Sequence, residues 1–247
     1  MKKIIGKIKK TVLDTLFPIA CLGCQKNDFW ICGECFQKIP IRRDQVCPAC
    51  ERETTLSGFL CRACRTSQKL HLDALISAVS YKNQTVKKMI HNFKYRFAIS
   101  LSEPLARLEI KALLSQNVPL PSAIIPVPLH PRRLRWRGFN QAQLLAENIS
   151  QNLAPPFKIT VLNLLERKKY NKPQMELENY HDRLQNVRDL FAIRPGISLE
   201  KIKGKIVYLV DDIATTGATL EECAKILKRA GAKKVFAVVI ARQTLKK

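Results

Sequence analysis

The sequence predicts an α/β protein with a mostly parallel sheet and flanking helices, preceded by a small cysteine-rich module. Two observations support this prediction. Apolar runs of strand length alternate with amphipathic helical segments between residues 73 and 240, which is typical of a doubly wound sheet. Eight of the nine cysteines fall between Cys21 and Cys64, which divides the 247 residues into domains at 1–66 and 67–247.

The elements of the second domain follow from hydrophobic periodicity. We predict strands at 73–81, 123–126, 205–210 and 235–240, and helices at 85–95, 100–115, 140–153 and from 219 to a stop at Gly231. The strand 205–210 is nearly continuous in apolar residues, as expected of a strand covered on both faces. Met89 and Phe93 are expected in the core, and so is Cys223 as a small buried hydrophobe.

Two adjacent carboxylates and a small-residue loop follow the strand 205–210. Asp211 and Asp212 come at its carboxyl end, where open α/β sheets bind ligands, and carboxylates accept hydrogen bonds from vicinal hydroxyls. The loop 215–219 offers hydroxyls and backbone N–H groups around Gly217, at the positive end of the next helix. The segment therefore predicts a pocket for a phosphorylated ribose.

This segment resembles the ribose-phosphate signature of type I phosphoribosyltransferases, and the second domain is expected to share their fold. By this resemblance, Asp211 and Asp212 hold the ribose 2- and 3-hydroxyls of phosphoribosyl pyrophosphate, with Mg²⁺ bridging the hydroxyls and the pyrophosphate. The residues that surround the 5-phosphate are then Ile213, Ala214, Thr215, Thr216, Gly217, Ala218 and Thr219. Thr215 stands where purine-salvage members usually carry an acidic residue, which disfavours purine salvage.

Segment 126–141, predicted as a loop, contains four arginines in six positions: Arg132, Arg133, Arg135 and Arg137. Planar guanidinium groups bind phosphate oxygens through two hydrogen bonds, so this loop is a candidate site for a pyrophosphate or a nucleic-acid backbone. Trp136 and Phe139 either stack on the bases of a single strand or anchor the loop on the core. His130 alone warrants no assignment.

The cysteines form four Cys-x-x-Cys pairs: Cys21 and Cys24, Cys32 and Cys35, Cys47 and Cys50, Cys61 and Cys64. Four such pairs make two tetrahedral thiolate sites, for which Zn²⁺ is the favoured ion. Sequential and cross-braced pairing are both open. Disulfides are disfavoured without a secretion signal, and the even spacing is unlike an iron–sulfur protein. Because roughly 45 residues with few large apolar side chains cannot form a sufficient core, we expect two structural zinc ions to supply the folding energy.

The charge of the chain favours polyanionic partners. Lysine and arginine number 43 against 20 aspartates and glutamates, a net charge of +23 with a pI near 9.9. Nucleic acid and membrane surfaces are both candidates, and a basic surface kept for solubility is the alternative. No apolar run is long enough to cross a bilayer, and early lysines interrupt any signal-peptide core, so a cytoplasmic protein is expected. Residues 2–17 suit a basic amphipathic helix packed on the cysteine module, with membrane contact less favoured.

Nearly the whole chain, from about Phe17 to Arg242, resembles the ComF family of competence-associated proteins. The family's motifs occur in order at 126–129, 137–141, 173–174, 183–187 and 210–220, behind paired zinc ribbons. The connection 165–191 is long and indicates a functional loop or lid. Ala214 departs from the family pattern, where a larger residue is common, and should widen the phosphate loop. The resemblance implies a role in handling incoming single-stranded DNA during natural transformation.

Three functions follow as hypotheses. The favoured one is a domain that binds phosphoribosyl pyrophosphate and acts in single-stranded DNA uptake, with catalytic turnover open. The alternative is an active phosphoribosyltransferase, a glycosyltransferase of nucleotide metabolism with an unknown acceptor, in which Arg132, Arg133 or Arg137 stabilise the leaving pyrophosphate. In the third, the zinc ribbons are an adaptor that docks a DNA-uptake helicase.

Overall fold

A five-stranded parallel sheet forms the centre of the computed structural model, which describes residues 19–67, 70–168 and 189–243. Within these ranges the strands are β1 (Gln45–Val46), β2 (Thr54–Thr55), β3 (Ala74–Ser80), β4 (Ala123–Pro126), β5 (Thr160–Val161), β6 (Leu165–Arg167), β7 (Phe191–Ile193), β8 (Ile206–Ala214) and β9 (Lys234–Arg242). The order across the main sheet is β3-β9-β8-β4-β5. β1 pairs with β2, and β6 with β7, in two small antiparallel sheets. The α/β prediction is confirmed.

Helices cover both faces of the main sheet. In the described residues they are α1 (Gly33–Gln37), α2 (Arg62–Ser67), α3 (Gln84–Tyr95), α4 (Ser102–Ser115), α5 (Pro131–Arg137), α6 (Gln141–Asn152) and α7 (Ala218–Arg229). Side chains of β8 alternate between two cores, because successive residues of a strand point to opposite faces. Tyr208 and Val210 pack with α3, α4 and α6, whereas Val207 and Leu209 pack with α7. Met89, Phe93 and Cys223 are fully buried, as predicted.

Strand β8 is longer than the predicted 205–210 and continues through both carboxylates. Its pairing with β9 extends from Ile206 to Ala214, whereas its pairing with β4 ends at Val210. Backbone bonds to β9 alone therefore keep the strand extended at Asp211 and Asp212. On the other side, the chain after β4 turns away and leaves a crevice next to these two residues, as expected at the carboxyl ends of parallel strands.

Helix α5 replaces part of the loop predicted at 126–141. Pro131 occupies its first turn, where the missing N–H costs no hydrogen bond. The His130 side chain caps the helix, since its Nδ1 accepts a hydrogen bond from the Arg132 amide at 3.1 Å. Gly138 ends the helix with φ of 77°. The loop prediction was wrong because Pro131 and Gly138 are start and stop signals for a helix shorter than two full turns.

Some predictions fall outside the described residues. They concern the helix at 2–17, most of the predicted functional loop at 165–191, and the motifs at 173–174 and 183–187 within that loop. Within the described ranges, no helix combines the length and apolar composition that a bilayer crossing requires.

Candidate functional site

The candidate site is the cleft where β8 extends beyond β4. Backbone from the ends of both strands lines it, together with side chains of α3, α5, α6 and β6. Of the residues predicted for this site, the structure brings Asp211, Asp212, Ile213, Thr215, Thr219, Arg133 and Arg137 together around the cleft. Ala214, Thr216 and Ala218 are buried beside it. The sequence alone does not indicate which of the four arginines lie close to the carboxylates.

Both oxygens of the Asp212 carboxylate have partners. Lys94 Nζ of α3 lies 2.8 Å from Oδ1, and Gln141 Nε2 of α6 donates to Oδ2 at 3.0 Å. The Asp212 side chain is only 6% exposed, so the cost of burying its charge is offset by an ammonium and an amide. Lys94 and Gln141 hold this carboxylate in one orientation.

Asp211 is the more accessible carboxylate of the pair. Its Oδ1 accepts a hydrogen bond from the Asp212 amide at 2.8 Å. Desolvation and the neighbouring charge of Asp212 raise the pKa of Asp211 to about 7, while Lys94 opposes the shift. At neutral pH this carboxyl exchanges readily between a form that accepts hydrogen bonds and a form that can also donate one.

The loop 215–219 has the geometry of an anion site. Gly217 caps helix α7 with φ of 78°, a left-handed conformation that glycine adopts without strain. The Thr216 hydroxyl accepts from the Ala218 amide at 3.2 Å and fixes the first turn. Helix α7 has 12 residues and begins at Ala218, so its unpaired amides and the positive end of its dipole lie at this loop. This arrangement favours a phosphate group.

The four arginines of α5 divide into two pairs. Arg133 and Arg137 line the cleft, whereas Arg132 and Arg135 are exposed outside its lining. Arg137 is 7% exposed, and burial lowers its pKa while the Asp212 charge opposes that shift. The cleft therefore has carboxylates on one side and guanidinium groups on the other, which suits a ligand with both hydroxyls and phosphates.

Phe139 and Trp136 behave differently: Phe139 has the predicted anchoring role, whereas Trp136 lies at the surface. Phe139 is 9% exposed and packs with Phe93 of α3 at 5.4 Å between ring centroids. It anchors the end of α5 to the core. Trp136 is 59% exposed and contacts Tyr95, which lines the cleft.

Several polar residues of the cleft were not predicted as cleft residues, among them Lys94, Gln141 and Arg167. Lys94 falls in the predicted helix 85–95, and Gln141 falls in the family motif at 137–141. Glu109 of α4 is a further surprise, because it is fully buried and its carboxylate oxygens have no hydrogen-bond partner among the described residues. Burial and the charges of Asp212 and Asp211 raise the pKa of Glu109 well above its usual range.

The cysteines form two tetrads by sequential pairing. One contains Cys21, Cys24, Cys32 and Cys35, and the other contains Cys47, Cys50, Cys61 and Cys64; the sulfurs of each lie within 4.8 Å of one another. Cys24 and Cys32 sulfurs are 3.7 Å apart, close to the edge of about 3.8 Å that tetrahedral Zn–S bonds require. Gly23 leaves the room needed here, because a Cβ would lie 2.7 Å from Cys35 Sγ. Both tetrads fit zinc.

The second tetrad is connected to the cleft through Arg242, the last residue of β9. Arg242 Nη2 lies 2.8 Å from Glu51 Oε1 and donates to the Pro48 carbonyl at 2.8 Å. Glu51 and Pro48 belong to the turn that carries Cys47 and Cys50. Gln243, the next residue, lines the cleft and donates its amide hydrogen to the Ala214 carbonyl at 2.8 Å. The metal module therefore supports one wall of the cleft.

Comparison with known proteins agrees with both halves of this description. Residues 140–247 match the phosphoribosyl transferase domain, and residues 12–65 match the double zinc ribbon domain. The chain is 30% identical over 228 residues to competence protein F of Haemophilus influenzae, covering 90% of each. The chain belongs to the ComF family.

Other relatives in the ComF family have similar coverage. Competence protein ComFC of Streptococcus pneumoniae is 30% identical over 246 residues, 96% of this chain and 98% of the relative. The DNA utilization protein YhgH of Escherichia coli K12 is 26% identical over 219 residues, 82% and 92% of the two chains. ComF-family membership makes the tetrads the structural zinc sites of a double zinc ribbon.

A solved structure also matches part of the chain. Glutamine phosphoribosylpyrophosphate amidotransferase from B. subtilis matches with a TM-score of 0.31 at 21% identity, over 56% of this chain. The chain spans about a quarter of that protein, 26% of its length, and a likeness of this degree says nothing of function.

Proposed function

We propose that this ComF-family protein binds phosphoribosyl pyrophosphate in the cleft and acts in the uptake and handling of single-stranded DNA. One observation carries the first part: a carboxylate pair, a helix N-terminus and two arginines surround the same cleft. The names of the relatives, which include competence protein F and DNA utilization protein, support the DNA-uptake context. Acting on DNA also agrees with the net charge of +23.

The carboxylate pair suits the ribose end of the ligand. Asp211 and Asp212 accept hydrogen bonds from the 2- and 3-hydroxyls, and the hydroxyls compete with Lys94 and Gln141 for the oxygens of Asp212. Carboxylates, hydroxyls and phosphates are also ligands of Mg²⁺, so the site fits the magnesium salt of the ligand. Bound Mg²⁺ would neutralise the pyrophosphate charge near the carboxylates.

The opposite side of the cleft suits the phosphates. The loop 215–219 and the first turn of α7 bind the 5-phosphate through backbone amides and threonine hydroxyls, with Ile213 and Ala214 leading into the loop. Arg133 and Arg137 lie across the cleft and stabilise the pyrophosphate. Arg132 and Arg135 are outside the lining and are better suited to the phosphates of a DNA strand.

Calorimetric titration with phosphoribosyl pyrophosphate and Mg²⁺ tests the proposed ligand. We expect binding by the unchanged protein and at least about a 30-fold loss in Asp212→Asn, since one carboxylate charge and its bonds are removed. The matched control is Glu103→Gln, which removes an exposed carboxylate from α4 and should bind normally. Failure of the unchanged protein to bind, or equal affinity of Asp212→Asn, would refute this assignment.

Catalytic turnover is a second candidate function, favoured by the pKa of Asp211 near 7. A carboxyl with such a pKa can remove a proton from an acceptor at neutral pH. The test is pyrophosphate release from phosphoribosyl pyrophosphate and Mg²⁺ with a panel of bases and amines. Release that depends on both an acceptor and Asp211 would establish turnover, and its absence across the panel would leave a binding protein.

Three further assignments belong to this proposal. We propose a domain boundary between residues 66 and 67, and a cytoplasmic location because eight metal-binding thiolates require a reducing compartment. We also propose that the ribbons contact a DNA-uptake helicase, with exposed Phe29 as a contact residue. A pull-down with the full chain tests the last point: Phe29→Ala should reduce helicase capture and leave ligand binding unchanged.

A further inference from the structure

Three aromatic side chains form an exposed cluster at the rim of the cleft. Tyr95 ends α3, Phe97 follows it, and Trp136 lies on α5. Trp136 is 6.2 Å from Tyr95 and 6.0 Å from Phe97 between ring centroids, and the three side chains are 46–59% exposed. Grouped aromatic side chains at the surface are costly in water and commonly mark a binding surface.

The three rings are held in place by a buried neighbouring side chain and by the backbone. The Arg137 guanidinium lies 5.5 Å from the Tyr95 ring and 5.9 Å from the Trp136 ring, and Arg137 itself is 7% exposed. Phe97 has φ of 56°, which a bulky residue rarely adopts. Core packing does not explain this conformation, because half of the Phe97 side chain is exposed.

The surroundings of the cluster are purely basic in sequence. Segments 74–102 and 110–146, which carry all three aromatic residues, contain no aspartate or glutamate and five lysines or arginines each. Arg96, Arg132 and Arg135 are exposed and belong to the same two segments as the rings. Rings on segments that carry positive charges and no carboxylates of their own suit a flexible polyanion that also carries flat apolar groups.

We propose that Tyr95, Phe97 and Trp136 form a stacking platform for the bases of single-stranded DNA. Every base has an aromatic face, so stacking gives affinity without sequence preference, and the nearby arginines bind the phosphates. Duplex DNA does not fit, because its bases are stacked on each other. This inference rests on the proposed DNA-handling function and names the surface that performs it.

The platform and the cleft are contiguous, but they bind ligands of different chemical classes. Tyr95 belongs to both, since it lines the cleft and contacts Trp136. An internal deoxynucleotide has no vicinal hydroxyls for Asp211 and Asp212, so the strand crosses the rim and does not enter the ribose site. Substitution of Trp136 or Phe97, which lie outside the cleft lining, should therefore leave binding of phosphoribosyl pyrophosphate nearly unchanged.

Binding of the full zinc-loaded chain to a labelled oligothymidylate tests the platform. We expect Trp136→Ala to weaken binding about tenfold, within the range for loss of one stacked base, and Trp136→Phe to retain most of the affinity. The matched control is Phe157→Ala, which removes an exposed aromatic ring outside the platform (76% exposed) and should have no effect. An oligomer of abasic sugar-phosphates should bind the unchanged protein and Trp136→Ala equally.

Tryptophan fluorescence gives a second readout that a folding defect would not imitate. The chain has two tryptophans, so Trp30→Phe leaves Trp136 as the single tryptophan, which can be excited selectively at about 295 nm or above. Oligothymidylate should quench it, whereas abasic oligomer and duplex should not. Unchanged oligothymidylate affinity in Trp136→Ala and Tyr95→Ala, without quenching, would overturn the platform alone. Failure of the unchanged protein to bind any single strand would refute the DNA-handling function and the platform together.

Discussion

The zinc-ribbon module and the sheet domain obtain their stability from different sources. Among the described residues of the module, the buried hydrophobic side chains are four cysteines, Phe36 and Ile39. Phe36 and Ile39 pack into the core of the sheet domain. The sheet domain, in contrast, buries apolar side chains on both faces of its sheet. Metal–thiolate bonds replace a hydrophobic core in the module.

The residues that line the cleft and part of the structure that supports it belong to different regions. The side chains that line the cleft belong to the sheet domain. One wall nevertheless depends on the module, because Arg242 joins β9 to Glu51 of the second ribbon. Further contacts join the same regions: Gln45 exchanges two hydrogen bonds with the backbone of Ser77 in β3. Loss of zinc should therefore loosen the cleft without unfolding the sheet.

Metal removal has the largest expected effect and tests this separation directly. Cys47→Ser should lower the zinc content from two ions to one and disorder the second ribbon. Structural zinc contributes on the order of 10 kcal/mol to such modules, while the sheet keeps its own core. Zinc release by a colorimetric chelator, with far-ultraviolet circular dichroism of the same sample, measures both parts.

Cys223→Ala is the matched control, because Cys223 is a buried cysteine of the sheet domain. It should keep both zinc ions and lower the free energy of unfolding by about 1–2 kcal/mol, as expected for a small cavity. Two zinc ions bound to Cys47→Ser, or zinc loss from Cys223→Ala, would contradict the assignment of the tetrads.

Local patterns in the sequence were sufficient for most of the fold. The apolar run before Asp211 predicts a buried strand. The spacing of Val86, Met89 and Phe93 predicts one face of a helix, because helices and strands each place side chains at a fixed repeat. The Cys-x-x-Cys pairs likewise predict metal sites. The pairing order was not predictable, because sequential and cross-braced tetrads use the same local geometry.

The composition of the site was less predictable than its location. The fold places the last turn of α3 next to the carboxyl end of β8, so Lys94 reaches Asp212. No local sequence pattern indicates that contact. Arg242 and Glu51 are 191 residues apart. The buried Glu109 has no sequence signature, since the pattern of its amphipathic helix predicts only which face is covered.

Substitution of Lys94 is the next largest test, and it should affect only the sheet domain. Lys94→Met leaves the 6% exposed Asp212 without its ammonium partner. Breaking a buried ion pair from one side costs about 3 kcal/mol. Chemical denaturation should show this loss in the sheet transition while the zinc content stays at two.

Lys88→Met on the same helix is the control for Lys94, because Lys88 is exposed. It should change the free energy of unfolding by less than about 0.5 kcal/mol. Equal stability of the two variants would mean that the Lys94–Asp212 pair does not stabilise the site.

Arg242→Met tests the connection between the two regions. The substitution removes the charged hydrogen bonds from the Arg242 guanidinium to Glu51 and Pro48, which contribute about 2 kcal/mol together. We expect faster zinc release from the second ribbon and faster hydrogen exchange at Gln243 and Ala214. Lys233→Met, an exposed residue just before the opposite end of β9, should change neither rate.

Acidification should change the stability of the two regions in opposite directions. The pKa of Asp211 is raised from 3.8 to about 7 in the folded protein, so folding favours its protonated form. The sheet is therefore most stable below about pH 4 with respect to this group, and loses at most about 1.4 kcal/mol per pH unit as the pH rises toward 7. Asp211→Asn should remove this slope. The ribbons should respond oppositely, because protons compete with zinc for the thiolates. A sheet transition in the unchanged protein that has the same pH slope as Asp211→Asn between pH 5 and 7 would show that Asp211 titrates normally.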